Sequence, residues 1–270
     1  MHRWIQQTTR LLAGCLSMAL LTACAAAYGD TSGQPRPSFI AHAGGRIDGR
    51  RYTNSQNALD TNYARGFRYF ELDFERTLDQ RLVLTHDWSM MWPMLSGSDL
   101  TVPTHAQFMA TRFRHGLKQL DLDALLDWLD HHPDAYIVTD AKTDNLRALT
   151  AIATGRHAGR FIPQAYSQEE FTQARDLGFR DVILTIYRLQ TKPSVITDFV
   201  LEQRPWAIVV PLYQMERGDY ARLLEGGQVP LYVHTVNEPE RWQQLQALGV
   251  TGIYTDSLFL PAPMDTAGTP

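Results

Sequence analysis

Beyond residue 38, short runs of β-branched, aromatic and aliphatic residues alternate with longer stretches whose apolar positions recur at helical spacing. The short runs are "FIAHA" from Phe39, "YFELDF" from Tyr69, "AYIVTDA" from Ala135 and "FIPQAY" from Phe161. They continue as "DVILTIY" from Asp181, "WAIVVPLY" from Trp206, "LYVHTV" from Leu231 and "GIYTD" from Gly252. The stretches "LDALLDWLDHH", "SQEEFTQARDLG", "YARLLEGG" and "EPERWQQLQALG" predict helices. Several are entered from Ser, Asn or Asp and left at Gly, the residues that satisfy orphan backbone groups at helix ends.

Strands alternating with helices predict a parallel sheet, and eight such units close into a TIM (β/α)8 barrel, here over residues 38–262. An open doubly wound sheet is the alternative. It wants a G-x-G-x-x-G turn running from the first strand directly into a helix, and "HAGGRIDGRRYTNS" has glycines without that spacing. The excursion from Thr77 to Leu120 breaks the alternation. Its "LVLTHDW" predicts an extended segment hairpinned onto the second strand. The loop "SMMWPMLSGSD" predicts either an apolar wall for an acyl chain or membrane, or a segment packed over the barrel mouth.

Candidate chemistry follows from this frame. In a strand, Glu71 and Asp73 share a face, because side chains alternate with period two. A parallel barrel covers both faces of its sheet, so these acids look into the lumen near its top, at the carboxyl ends of the strands. Two carboxylates there repel unless a cation or proton intervenes, and hard oxygen donors suit Mg²⁺ or Ca²⁺. A salt-bridged or solvated pair is the competing reading. Asp140 ends "AYIVTD" and supplies a candidate third carboxylate or a helix cap, with Lys142 two positions on. His42 closes the first strand and His86 closes "LVLTH", positions that surround the reaction site of such a barrel.

The N-terminus changes the picture. His2, Arg3 and Arg10 precede an apolar run from Leu11 to Leu21, which has the form of a secretory signal and is shorter than the ~20 apolar residues of a spanning helix. It ends in "LLTAC", a lipoprotein-like box, so residues 1–23 are expected to be a signal peptide with Cys24 lipidated. The alternative is plain cleavage among residues 23–27 and secretion into the periplasm. Residues 24–37 predict a flexible tether and residues 263–270 a disordered tail. The expected location is the periplasmic face of a bacterial outer membrane. A net charge of -4 gives no field favouring nucleic acid, which is excluded as a partner.

Together, "IAHAGG", "YTNSQNAL" and "GFRYFELDFERTLDQRLVLTHDW" resemble the opening of the glycerophosphodiester phosphodiesterases, within the phosphatidylinositol phospholipase C-like superfamily. "LYVHTVNEPERWQQLQALGVTGIYTD" is similar to that family's closing segment. The resemblance implies that His42 and His86 are catalytic, that Glu71, Asp73 and Asp140 hold one divalent cation, and that Lys142 holds phosphate. It places Asn54 in a short motif beside the substrate. The chain departs from the family in three ways. Ala43 stands where an arginine is usual, which leaves Arg46, Arg50 or Arg51 as replacements. Thr53 stands where a glutamate is usual, and His234 where a tryptophan usually lines the pocket.

The expected function is metal-dependent hydrolysis of glycerophosphodiesters or related head-group diesters by the two histidines. The alternatives are a phospholipase C or D acting on intact lipids, and a degenerate barrel retained as a ligand-binding lipoprotein.

Overall fold

The computed structural model describes residues 36–98, 101–141, 143–189, 193–217 and 229–259. The signal, Cys24, the tail, Lys142 and the helix expected over "YARLLEGG" lie outside the described residues. Within them the strands are β1 (Phe39–Ala41), β2 (Tyr69–Arg76), β3 (Leu82–Leu84), β4 (Tyr136–Asp140), β5 (Phe161–Ala165), β6 (Ile183–Thr185), β7 (Ala207–Pro211), β8 (Leu231–His234) and β9 (Gly252–Thr255). All but β3 run parallel and pair in the order β1-β9-β8-β7-β6-β5-β4-β2, and β1 pairs with β2 to close the ring. The expected barrel is present, and its strands are the apolar runs read from the sequence. The expected hairpin is β3, antiparallel to the upper part of β2 with Phe74 opposite Leu84.

Helices cover the outside, and local chemistry sets where they begin. Ser55 accepts from the Ala58 amide at the start of α1 (Gln56–Ala64). Helices α2 (Met91–Ser96) and α3 (His105–Ala110) belong to the excursion. Asp121 caps α4 (Leu122–His131) through the Ala124 amide. Next come α5 (Asn145–Ala153) and then α6 (Gln168–Asp176), which Ser167 caps through the Glu170 amide. They are followed by α7 (Pro193–Gln203), α8 (Leu212–Glu216) and α9 (Pro239–Ala247), whose first residue is the proline tolerated there.

Side-chain parity divides the sheet into two layers. Phe70, Leu72, Phe74, Ile137, Phe161, Leu184, Ile208, Val210, Leu231 and Ile253 point outward and form one core with the helices. Ile40, Tyr69, Val138, Ile162, Ile183, Val209, Tyr232 and Tyr254 point inward and fill the lumen. Two residues further along each of these strands the inward positions are His42, Glu71, Asp140, Gln164, Thr185, Pro211, His234 and Asp256. Every stave thus turns from apolar below to a site position above.

The floor is aromatic. Tyr69 stacks on Tyr136 with centroids 4.9 Å apart, and Trp206 stacks on Tyr232 at 5.7 Å. Burial, with Tyr136 beside it, pushes the Tyr69 phenol up to about 12. Arg36 lies 4.3 Å over the Trp206 ring, and Tyr232 donates to the Pro37 carbonyl. The last two residues of the expected tether are therefore fastened under the barrel.

The excursion carries its own small core. Met91, Trp92 and Leu95 of α2 pack with Val83, Phe108, Phe113 and Leu117. Met90 and Met94 remain more than half exposed. The large apolar residues of the loop are thus divided, with Met91, Trp92 and Leu95 packed inward and Met90 and Met94 facing solvent.

At the end of β1 the chain must reverse tightly. Gly45 sits at φ 86°, and a Cβ there would lie 2.5 Å from the Asn62 amide nitrogen. Asn62 is itself fixed, donating to the carbonyls of Gly44 and Ala58. Gly45→Ala is therefore expected to destabilise the fold by about 2–4 kcal/mol, combining backbone strain with overpacking. Urea unfolding checks this, and a midpoint equal to that of the parent would contradict it.

Candidate active site

Three carboxylates meet inside the upper lumen. Glu71 and Asp73 lie two residues apart on β2, and Asp140 at the end of β4 is the direct register partner of Asp73. One ligand oxygen from each lies within 4.8 Å of the others. Glu71 and Asp73 are 1% and 2% exposed, so water does little to screen their repulsion. Each is aimed by a neutral donor: Glu71 by the Ala43 amide at 2.8 Å, Asp73 by the Asn54 side chain at 2.8 Å, and Asp140 by the Tyr166 hydroxyl. Burial, and then the adjoining Asp140 charge, raise the Tyr166 phenol well above its ordinary value and keep it a donor.

This donor set fits one hard divalent cation. Opposite oxygens around Ca²⁺ are separated by about 4.6–5.2 Å, and those around Mg²⁺ by about 4.2 Å, twice the usual metal–oxygen distance. Carboxylates held from behind by hydrogen bonds are also what such a site requires.

Both histidines are backed by a carboxylate on Nδ1. His42 Nδ1 lies 2.8 Å from Asp256 Oδ1, and His86 Nδ1 lies 2.8 Å from Asp87 Oδ2. A carboxylate there accepts the Nδ1 proton and directs Nε2 away from it, leaving Nε2 to exchange a proton. Asp256 is placed by Asn237, which donates to Oδ2 and accepts the Asp256 backbone N–H, both at 2.8 Å. Burial would raise the Asp256 carboxyl, but the bond from His42, its charge, Asn237 and Arg51 outweigh it and lower its pKa. Tyr52 stands between the histidines, edge-on to His42 at 4.9 Å and to His86 at 5.0 Å.

His234 Nε2 lies 3.1 Å from His42 Nε2, within hydrogen-bond distance. His42, His86, Asp140, His234 and Tyr52 line a cleft of about 300 Å³, completed by Gln164, Thr185, Tyr187, Val209, Pro211 and Tyr213. The three imidazoles and Asp140 thus face one space, with Glu71 and Asp73 buried behind Asp140's end of it.

Two residues expected beside the substrate are placed differently. Asn54 is fully buried and both ends of its amide serve Asp73, the oxygen accepting the Asp73 backbone N–H at 2.9 Å. It positions a carboxylate and has no face toward the cleft. Arg46 is exposed and joins the site only through its backbone N–H, which donates to the Asp256 carbonyl. The turn through Gly44 and Gly45 carries its side chain outward. Arg50 bonds the Asp48 carbonyl, whereas Arg51 brings Nη1 to 3.5 Å from Asp256 Oδ2.

No protein-family model matches the chain. A glycerophosphodiester phosphodiesterase of Bacillus subtilis is 25% identical, over 90% of this chain and 91% of its own. The chain is a glycerophosphodiester phosphodiesterase-like barrel. The glycerophosphodiester phosphodiesterase of Thermotoga maritima shares the fold at a TM-score of 0.67 and 19% identity, over 82% of this chain and 95% of its own. A phosphodiesterase of Oleispira antarctica, solved with its product sn-glycerol-3-phosphate, shares it at a TM-score of 0.64 and 12% identity, over 82% and 93%.

Sequence reasoning about this phosphodiesterase-like barrel missed Asp256, Asn237, Asp87, Tyr52 and Tyr166. Parity along "GIYTD" points Asp256 into the lumen, and Asp87 adjoins His86, so two of them carried a readable signal.

Asp87 also sets an acid limit. Burial pushes its carboxyl up, but bonds from His86, the Met90 amide, Ser89 and the Met91 amide prevail and hold it at about 2. Its pKa is depressed on folding, so its contribution is complete above about pH 4 and is lost as pH falls through 2. The stability gap between the parent and Asp87→Asn should narrow by about 2 kcal/mol between pH 5 and pH 2. Urea unfolding across that range measures it; a constant gap would show that Asp87 does not titrate there.

Proposed function

We propose that the protein is a divalent-cation-dependent phosphodiester hydrolase acting on glycerophosphodiesters or closely related head-group diesters. The observation that carries this reading is the pair of carboxylate-backed imidazoles opening into the same cleft as Asp140. Glu71, Asp73 and Asp140 would hold Mg²⁺ or Ca²⁺. Such an ion supplies charge neutralisation for a non-bridging phosphate oxygen and acidifies a hydroxyl beside it.

The remaining work falls to this chain's own residues. The His86 side chain is 24% exposed and stands where solvent enters, so its Nε2 is suited to take the proton of the attacking hydroxyl. His42 is buried, and its Asp256 carboxylate stabilises an imidazolium whose Nε2 delivers a proton to the departing alkoxide as the P–O bond breaks. His234 lies within hydrogen-bond distance of that same nitrogen and would flank the leaving group. Lys142, two residues beyond Asp140, is assigned to the phosphate from the resemblance alone. A cleft of about 300 Å³ is at the lower end of small-molecule sites, so it suits a deacylated diester better than a lipid with two acyl chains inside.

His42→Ala and His86→Ala should each lower kcat on a glycerophosphodiester by about 10²–10⁴-fold with near-UV circular dichroism unchanged. Chelation should abolish turnover, and one of Mg²⁺ or Ca²⁺ should restore it. Near-parental turnover in either variant would refute the assignment.

From the N-terminal sequence alone we further propose that the barrel sits on the periplasmic face of an outer membrane through a lipid on Cys24. Globomycin should block processing, and labelled palmitate should enter the parent but not Cys24→Ser; absence of both effects would leave secretion.

A further inference from the structure

Outside the barrel mouth, two arginines are held side by side by one glutamine. Arg76 ends β2, and its Nη1 donates to the Gln80 carbonyl at 2.8 Å. Arg147 lies on α5, and its Nη1 donates to the Gln80 side-chain oxygen at 2.9 Å. Gln80 sits in the turn between β2 and β3 and adopts a φ of 67°. It thereby brings two like charges to one wall of a surface groove of about 470 Å³, shared with Asp144, Thr150 and Thr154.

The Arg76 guanidinium is incompletely satisfied. Its Nε and Nη2 are buried and have no hydrogen-bond partner among the described residues. A buried cationic donor left without an acceptor is strongly unfavourable, and the charge of Arg147 beside it adds to the cost. Burial, followed by Arg147, lowers the Arg76 pKa against the opposing pull of Asp144. Asp144 does not discharge the pair: it reaches Arg147 at 3.9 Å and is about half exposed. Among the described residues the half-exposed Asp144 is the carboxylate paired with these two arginines, and it reaches only Arg147.

We propose that the groove between the β2–β3 turn and α5 is a phosphate-binding site, distinct from the catalytic cleft, in which Arg76 and Arg147 clamp one oxyanion. A guanidinium presents parallel N–H groups that match two phosphate oxygens; Arg147, whose side chain is 57% exposed, offers them at the groove surface, and the covered, unpartnered Nε and Nη2 of Arg76 would be reached by a side-chain movement on binding. The groove is open, so the phosphate can belong to a soluble ester or to a lipid head group at a membrane surface. The inference stands on this groove alone and is independent of the reaction assigned to the lumen.

Thermal unfolding of the full chain in inorganic phosphate, at constant ionic strength, tests it. At phosphate ten times its dissociation constant, the parent Tm should rise by about 3 °C. Arg76→Met and Arg147→Gln should lose that rise, and Arg76→Met should unfold no lower than the parent without phosphate, since it removes a buried unpaired charge. Hydrolysis in the cleft should remain within about two-fold of the parent in both, because neither residue lines it. Sedimentation with phosphatidylcholine vesicles containing phosphatidylglycerol separates the two sources. Several-fold weaker binding of the variants identifies a head group, and equal binding with the phosphate response lost identifies a soluble ester. A phosphate-induced rise of equal size in parent and variants, or none in any of them, overturns the proposal.

Discussion

The crowding of Glu71, Asp73 and Asp140 is the constraint around which the upper half of this barrel is organised. At a separation of about 4.8 Å and an effective dielectric of about 20, each pair of like charges costs about 3 kcal/mol. Three pairs approach the whole stability of a domain, about 5–15 kcal/mol. A fold carrying that load needs compensation at the same place. The Ala43 amide, Asn54 and Tyr166 provide part of it as hydrogen bonds, and a divalent cation is the natural counterweight to the rest. The lower lumen is filled by aromatic rings and aliphatic side chains, which closes the floor and confines the charge to one end.

The same logic explains how the histidines are supported. His86 takes its carboxylate from the next residue, and the Ser89 and Met90 amides anchor that carboxylate from the other side. His42 takes its carboxylate from Asp256, 214 positions along the chain, so the first and last staves must be neighbours for the dyad to exist. They are, with Ala41 paired to Thr255. Closure of the barrel is therefore a condition of the chemistry and not only of stability.

This difference decides what could be read from the sequence. The staves, the hairpin of β3 and the inward direction of Glu71, Asp73 and Asp140 follow from period-two alternation, a local property. Asp256 follows from the same alternation once "GIYTD" is taken as a stave with Tyr254 inside. Asn54, Tyr52 and Arg46 do not, because they sit in a connection whose course depends on backbone torsions. Tyr52 and Asn54 both have positive φ, at 60° and 46°, values no residue-type pattern announces. A resemblance that aligned Asn54 with a substrate-side motif could not show that its amide is wholly engaged with Asp73. The Gln80 clamp was equally hidden, since its two arginines are far apart in sequence and neither belongs to a motif.

Strand β2 joins these observations. Its inward positions, Tyr69, Glu71 and Asp73, run from floor to carboxylate, while its outward positions, Phe70, Leu72 and Phe74, are buried against the helices. Arg76 continues the outward series past the point where apolar cover ends, so its charge emerges between the sheet and α5. The strand thereby gathers negative charge inside the lumen and positive charge outside it. Neither set can neutralise the other, because opposite parity places the sheet itself between them. A cation on the inner face and, as proposed above, an anion on the outer one would supply the complementary charge. Period-two geometry makes those two demands independent, so one face can change its ligand without repacking the other.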